Sequence, residues 1–160
     1  MAKYLTVFSD SHGERQNLSR LSGDFSVSDK IVFLGDGLND LIELFDFEDK
    51  IIKVQGNCDF VLREAKEQTF TLEGVKFLAV HGDMFSVKSG YSRLVNYAKN
   101  IGARVVLCGH THIPLVKEQD GVLIVNPGTM SRHGNQRTFA FVSVNDGKIN
   151  VKVIPFTSRI

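Results

Sequence analysis

Residues 103–112 read ARVVLCGHTH, a β-branched apolar run that ends at a glycine and is followed at once by two histidines one residue apart. A run this short cannot stand as an independent helix and reads as a buried strand. The same order recurs: YLTVF (4–8) leads into SDSHG, KIVFL (30–34) into GDGLND, IIKVQ (51–55) into GNCD, and FLAV (77–80) into HGD. Five strand ends therefore deliver nitrogen and oxygen donors, namely Asp10, His12, Asp36, Asn57, His81, His110 and His112. In open α/β sheets the crevice beyond the carboxyl ends of the strands is where ligands bind, so these scattered donors are expected to converge.

Further strands are read at GVLIV (121–125), TFAFVSV (138–144) and INVKVI (149–154), and helical spacing at LNDLIELFDFE (38–48) and SVKSGYSRLVNYAKNIG (86–102). In the second of these helices Val87, Tyr91, Leu94, Val95 and Ala98 share a face and Gly102 supplies a stop. The front of the chain alternates strand and helix. At the back, QDG (119–121) and NDG (145–147) read as tight hairpin turns with Gly121 and Gly147 at positive φ. The expected class is α/β, a parallel or mixed front with an antiparallel tail. No linker, repeat or charge run divides the 160 residues, so one domain over 1–160 is expected.

Composition narrows the partners. Lys plus Arg total 19 against 18 for Asp plus Glu, so no broad field draws the chain to nucleic acid or an anionic membrane. Two cysteines, Cys58 and Cys108, form no disulfide framework and suit a reducing, cytoplasmic compartment. The N-terminus carries no apolar stretch long enough for a signal peptide or membrane span.

Imidazole, carboxylate and amide donors without thiolate suit a borderline divalent ion, with manganese, nickel, iron, cobalt and zinc as candidates. Seven donors exceed what one such ion usually takes from protein. Two ions roughly 3.5 to 4 Å apart, sharing a carboxylate, would use them all.

Asp-x-His, Gly-Asp, Gly-Asn-x-Asp, His-Gly-Asp and Gly-His-Thr-His, in this order from Ser9 to about Thr129, resemble the calcineurin-like binuclear metallophosphoesterases, in their small prokaryotic phosphodiesterase branch. The resemblance implies a sandwich of two mixed β-sheets flanked by α-helices. It implies that Asp10, His12 and His112 hold one metal, that Asn57, His81 and His110 hold the other, and that Asp36 bridges them. It implies two ions per chain, manganese first. In an extended segment side chains two apart point the same way, which would let both histidines of GHTH face one pocket.

Read one at a time, these residues have plainer roles: His81 as a hydrogen-bonded, partly buried histidine, and Asp10, Asp36 and Asn57 as turn residues beside glycine. Four of the five histidines on motif positions at strand ends make the joint reading the stronger. His133 is left over. With Arg132 it follows NPGTM (126–130), which resembles the family's loop bordering the active site; Arg132 either meets a substrate phosphate there or lies on a surface loop. Asp83 and Asn39 are read as orienting ligands or capping the helix that begins at Leu38, and Thr111 as a supporting residue.

At GNCD the sequence departs from the family pattern, because Cys58 stands where many relatives carry a histidine thought to protonate the leaving oxygen. An ordinary thiol, of pKa near 8.5, is a poorer proton donor at neutral pH than an imidazolium. Cys58 is therefore either a catalytic group beside Asp36 and Asn57 or a small residue packed beneath the metals; Cys108 reads as strand core. The expected chemistry is two-metal in-line hydrolysis of a small phosphodiester, nucleotide-derived ones included, with oligomeric state left open. The alternatives are a phosphomonoesterase, phosphoprotein phosphatases included, and a non-catalytic scaffold like the retromer subunit of vacuolar sorting, which has this fold with degraded metal-site residues. The complete ligand set argues against the scaffold.

Overall fold

The structure, a computed structural model, describes residues 1–159. Ten strands form two five-stranded sheets. The first runs in the order β10-β9-β1-β2-β3, from β1 (Lys3–Phe8), β2 (Lys30–Phe33), β3 (Ile51–Lys53), β9 (Thr138–Asn145) and β10 (Lys148–Pro155). The second runs β4-β5-β6-β8-β7, from β4 (Glu67–Leu72), β5 (Val75–Val80), β6 (Val105–Leu107), β7 (Leu115–Gln119) and β8 (Val122–Asn126). In each sheet three neighbouring strands are parallel, β1-β2-β3 and β5-β6-β8, and antiparallel strands complete the rest.

Alternation along the strands sorts the side chains into layers. Leu5, Val7, Val32 and Leu34 of the first sheet meet Phe77, Ala79, Val105, Leu107 and Val125 of the second, all fully buried. Each such side chain contributes about 1.5 to 3 kcal/mol by leaving water. On the outer face of the first sheet Phe8, Ile31, Phe33 and Phe139 pack on Leu18, Leu21, Leu38, Leu44 and Phe25 of helix α1 (Ser22–Val27). On the outer face of the second, Leu78, Val80, Val106 and Ile124 pack on Val87 and on Leu94, Val95 and Ala98 of helix α2 (Ser92–Asn100). This is the two-sheet sandwich with helices outside that the motif order implied.

Both expected helices change form. Residues Leu38–Lys50 make 3₁₀ turns rather than an α-helix, broken at Leu44, whose backbone is non-helical. The reason is the spacing: Leu38, Leu41, Leu44 and Phe47 recur every three residues, and all four belong to the cluster on the first sheet. A helix of three residues per turn keeps such a stripe in line, whereas an α-helix would carry it about 60° round with each step. The stretch 86–102 divides because Ser86 and Gly90 take positive φ, 54° and 135°, leaving a 3₁₀ turn at Val87–Ser89 and α2 beyond it. Asn39 does not cap: Gly37 occupies the cap position and Asn39 lies exposed within the first turn.

The expected hairpin turns form, with Asp120–Gly121 at φ 51° and 82° and Asp146–Gly147 at 49° and 74°. Positive φ at both central residues is the two-residue turn whose twist matches the flanking strands.

Candidate metal centre

Every loop of the site leaves the carboxyl end of a parallel strand, and the loops are joined through their backbones. The Asp10 N–H donates to the Gly35 carbonyl at 2.9 Å, that of His12 to the Asp36 carbonyl at 3.0 Å, and that of Gly109 to the His81 carbonyl at 2.9 Å. The two sheets meet here. His81 Nδ1 lies 2.7 Å from the Leu34 carbonyl oxygen, and the His110 N–H donates to Asp10 Oδ2 at 3.1 Å.

Close approach depends on two glycines. A Cβ at Gly56 would run into the Asp36 carboxylate, and one at Gly109 into Ser9 Oγ and Asp10 Oδ2. The donors themselves sit on unusual backbone: Asp10, His12, Asp36, His110 and His112 have φ of 56°, 45°, 62°, 69° and 63°. That left-handed region costs an L-residue about 1 to 2 kcal/mol, and such strain concentrates at functional sites. The extended-segment account of GHTH is therefore corrected. His110 and His112 are aimed by two left-handed turns, and they serve different clusters.

The ligating atoms of Asp10, His12 and His112 lie within 4.8 Å of one another, and so do those of Asp36, His81 and His110. In the first cluster, Asp10 Oδ1 is 3.1 Å from His112 Nε2 and 3.5 Å from His12 Nε2. In the second, Asp36 Oδ2 is 3.2 Å from His81 Nε2, which is 3.2 Å from His110 Nδ1. The same Asp36 Oδ2 stands 3.8 Å from His12 Nε2, so one oxygen faces both clusters, while Oδ1 accepts the Cys58 N–H at 2.8 Å.

This donor set fits divalent ions. The Leu34 oxygen only accepts, so His81 Nδ1 carries the ring proton and Nε2 of the neutral ring is a lone pair. That lone pair faces a carboxylate oxygen and another ring nitrogen, an arrangement that needs either a second proton or a cation among the three. Buried imidazole and carboxylate donors, with His81 oriented from behind by a carbonyl, are the usual surroundings of such a cation.

The ionisation states follow from the same contacts. Burial alone would raise Asp10, but its bonds to His112 and His12, the charge of His81 and the bond from Ser9 hold it well below the usual carboxylate range. Burial also opposes ionisation of Asp36, and the bond and charge of His81 with the Cys58 N–H carry it below the usual range. For His81 burial works against the charged ring and is outweighed by Asp36 and Asp10, so its pKa is raised. His12 is raised chiefly by its bond to Asp10, whereas burial and the charge of His81 lower His110.

Three expected residues stand apart. Asn57 is exposed, its amide directed to Cys58 Sγ at 3.5 Å, and no described hydrogen bond joins it to His81 or His110. Cys58 is not packed beneath the centre: it is exposed at the mouth, its Sγ within 4.8 Å of the ligating atoms of His12 and Asp36. Arg132 is exposed, and its backbone N–H donates to the Glu14 carboxylate two residues beyond His12. Cys108 is fully buried, as strand core should be.

Four supporting residues had no role assigned from sequence. Asp59, the acid of GNCD, accepts four backbone N–H groups: Asp36 and Gly56 at 2.8 Å on Oδ2, Gly37 at 2.9 Å and Leu38 at 3.0 Å on Oδ1. Asp40 Oδ2 accepts from Ser11 Oγ and from the Gly13 N–H. Asn126 Nδ2 donates to the Gly109 carbonyl and to Thr111 Oγ1, fixing the GHTH loop. Thr129 Oγ1 donates to the Asp10 carbonyl. The signal available in sequence was the position of each beside a donor loop.

The chain is similar over most of its length to known proteins. A family profile described as the calcineurin-like phosphoesterase superfamily domain matches residues 4–147. A probable metallophosphoesterase of Mycoplasma pneumoniae is 31% identical over 156 residues, covering 94% of each chain. The phosphodiesterase YfcE of Escherichia coli is 26% identical, covering 95% of this chain and 83% of its own. A crystal structure of a predicted phosphoesterase from Streptococcus pneumoniae has the same fold, with a TM-score of 0.85 at 24% identity over 98% of this chain and 91% of that one. Matched by the family profile from the first strand to the last hairpin, with its donor residues gathered at one sheet end, the chain belongs to the calcineurin-like phosphoesterase superfamily, a family of metal-dependent phosphoester hydrolases.

Proposed function

We propose that the protein is a phosphodiesterase that works with two divalent ions, manganese first, on a small diester. The observation that carries this reading is the single Asp36 oxygen set between the Asp10–His12–His112 and Asp36–His81–His110 clusters. Asn57 completes the second ligand set in this reading. When bound, two such ions would polarise the phosphoryl group and lower the pKa of water enough to make it a nucleophile at neutral pH.

The chain's own residues do the rest. His81, locked by the Leu34 carbonyl, presents Nε2 in a fixed direction, and His112 Nε2 is held 3.1 Å from Asp10 Oδ1. Asp10 and Asp36 stay ionised and offset the positive charge of the centre. Asp59 and Asn126 hold the loops so that no donor must reorganise during turnover, which is how preorganised sites gain rate. With a thiol of raised pKa at the mouth, departure depends on the acidity of the leaving group itself.

The similarity to a protein named as a phosphodiesterase supports diesters over monoesters. The family's metal dependence and the two clusters of buried and half-buried donors support an enzyme over a scaffold. The test is protein reconstituted with manganese, analysed for metal content and assayed against aryl diesters, cyclic nucleotides and aryl monoesters. Close to two ions per chain, diester turnover and loss of activity on chelation are expected. One ion or fewer, with activity indifferent to a chelator, refutes the two-metal reading, and a monoester preference refutes the diester assignment.

A further inference from the structure

Beside the candidate metal centre lies a cleft of about 400 Å³, lined by Val87, Lys88, Tyr91, Thr111, Ile113 and Leu115. Thr111 stands between His110 and His112, so the cleft opens directly off the ligand loop. Its inner wall is rigid: Thr111 Oγ1 accepts from Asn126 Nδ2 at 2.9 Å and from the Ile113 N–H at 3.1 Å, and Asn126 is within 3.5 Å of Tyr91 Oη. Its outer wall is Ile113, a large apolar side chain that is 67% exposed next to a ligand histidine. The size falls within the roughly 300 to 1,000 Å³ of ligand pockets, and apolar walls with one convergent charge are their usual lining.

Lys88 gives the rim its sign. It is exposed on the 3₁₀ turn before α2 and lines the cleft beside Val87 and Tyr91.

Resting on the phosphodiesterase reading, we propose that this cleft receives the ester substituent that stays on phosphorus, that it selects an aromatic one, and that Lys88 favours one carrying its own negative charge. The course of a displacement favours the retained substituent. Its contact with the cleft lasts through the reaction, so the cleft would hold the phosphorus in place while the bond to the leaving oxygen breaks, whereas a contact with the leaving group is lost with that bond. Chemistry decides the class: Ile113, Leu115 and the Tyr91 ring offer a flat ring apolar contact and edge stacking, and a methyl group would leave the cleft wet.

The experiment uses three diesters with the same p-nitrophenolate leaving group and methyl, phenyl or carboxyphenyl as the retained substituent, assayed with manganese-loaded wild type, Ile113→Ser and Lys88→Gln. Both side chains are exposed, so the fold tolerates either change. Each substrate's intrinsic reactivity is common to all three proteins, so ratios between proteins isolate the cleft. The phenyl-to-methyl ratio of kcat/KM is expected to fall fivefold or more in Ile113→Ser, and the carboxyphenyl-to-phenyl ratio fivefold or more in Lys88→Gln. Calorimetric titration should show phenyl phosphate, the retained product, binding more tightly than methyl phosphate, and Ile113→Ser should remove the difference. Unchanged ratios, or equal binding of the two products by wild type, overturn the cleft assignment. No turnover of any of the three diesters by protein holding two ions overturns the phosphodiesterase reading with it.

Discussion

The Asp59 carboxylate accepts the backbone N–H of Asp36 at 2.8 Å, so one aspartate holds in place the main chain of another that faces both halves of the metal centre. Three further N–H groups share the same carboxylate. Removing a buried acceptor leaves its donors unsatisfied, at about 1 to 3 kcal/mol for such a group. Asp59→Ala is therefore expected to lower stability by at least that much and to weaken metal binding about 10- to 100-fold, as loss of a supporting partner does. Urea unfolding and manganese titration check the two effects. Wild-type values for both would show that the loop holds itself.

Asp36 and the outer ligands should fail differently. Asp36→Ala removes the oxygen between the clusters and is expected to abolish turnover at any metal concentration. His110→Ala and Asn57→Ala should chiefly weaken the second cluster, so excess manganese restores part of the rate. The check is rate against added metal for all three. Wild-type rate and metal content in Asp36→Ala would refute the bridging role.

Cys58 is expected to contribute little to the chemical step. Partial burial and the charge of Asp36 raise its thiol above the ordinary value, which makes it a still poorer proton donor at pH 7. A positioned general acid is worth about 10²- to 10⁴-fold, so Cys58→Ala should change aryl-diester turnover by far less than that. Cys58→His should raise turnover of alkyl esters, whose leaving oxygen needs a proton. Rates on a leaving-group series decide it, and a hundredfold loss in Cys58→Ala with metal content intact would make Cys58 catalytic.

The two thiols should report folding separately. Complete burial, with the charge of Asp10, pushes the Cys108 thiol up to about 12, so almost no thiolate exists at pH 8 and no reagent reaches it. One equivalent of thiol, from exposed Cys58, is expected to react with a disulfide reagent in the native protein, and two in denaturant. Mass spectrometry of the labelled peptides checks the assignment.

The sequence exposed every strand but two, and the donors at strand ends, because both depend on local features: β-branched runs, then glycine beside histidine or aspartate. It concealed β4 and β7, the edge strands of the second sheet. EQTFTL (67–72) and LVKEQ (115–119) pair on one side only, so they tolerate polar and charged residues that blur a strand signal. The three-residue spacing of Leu38, Leu41, Leu44 and Phe47 was visible, yet it resembles an α-helical stripe over so short a span. At the site, the donor identities were legible but the way they are aimed was not. Positive φ at His110 and His112 belongs to the loops' backbone bonding, and the roles of Asp59 and Asn126 lie in contacts with main chain distant in sequence.

The left-handed backbone at Asp10, His12, Asp36, His110 and His112 has a consequence for drift. Glycine occupies that region without the steric penalty of a Cβ, and asparagine tolerates it better than most residues. A chance replacement of a donor histidine by glycine would thus relax the loop while destroying the ligand. At these positions mutational pressure toward a more stable chain and selection for hydrolysis pull in opposite directions, so an idle copy of this gene would shed its donors first and keep its sandwich longest.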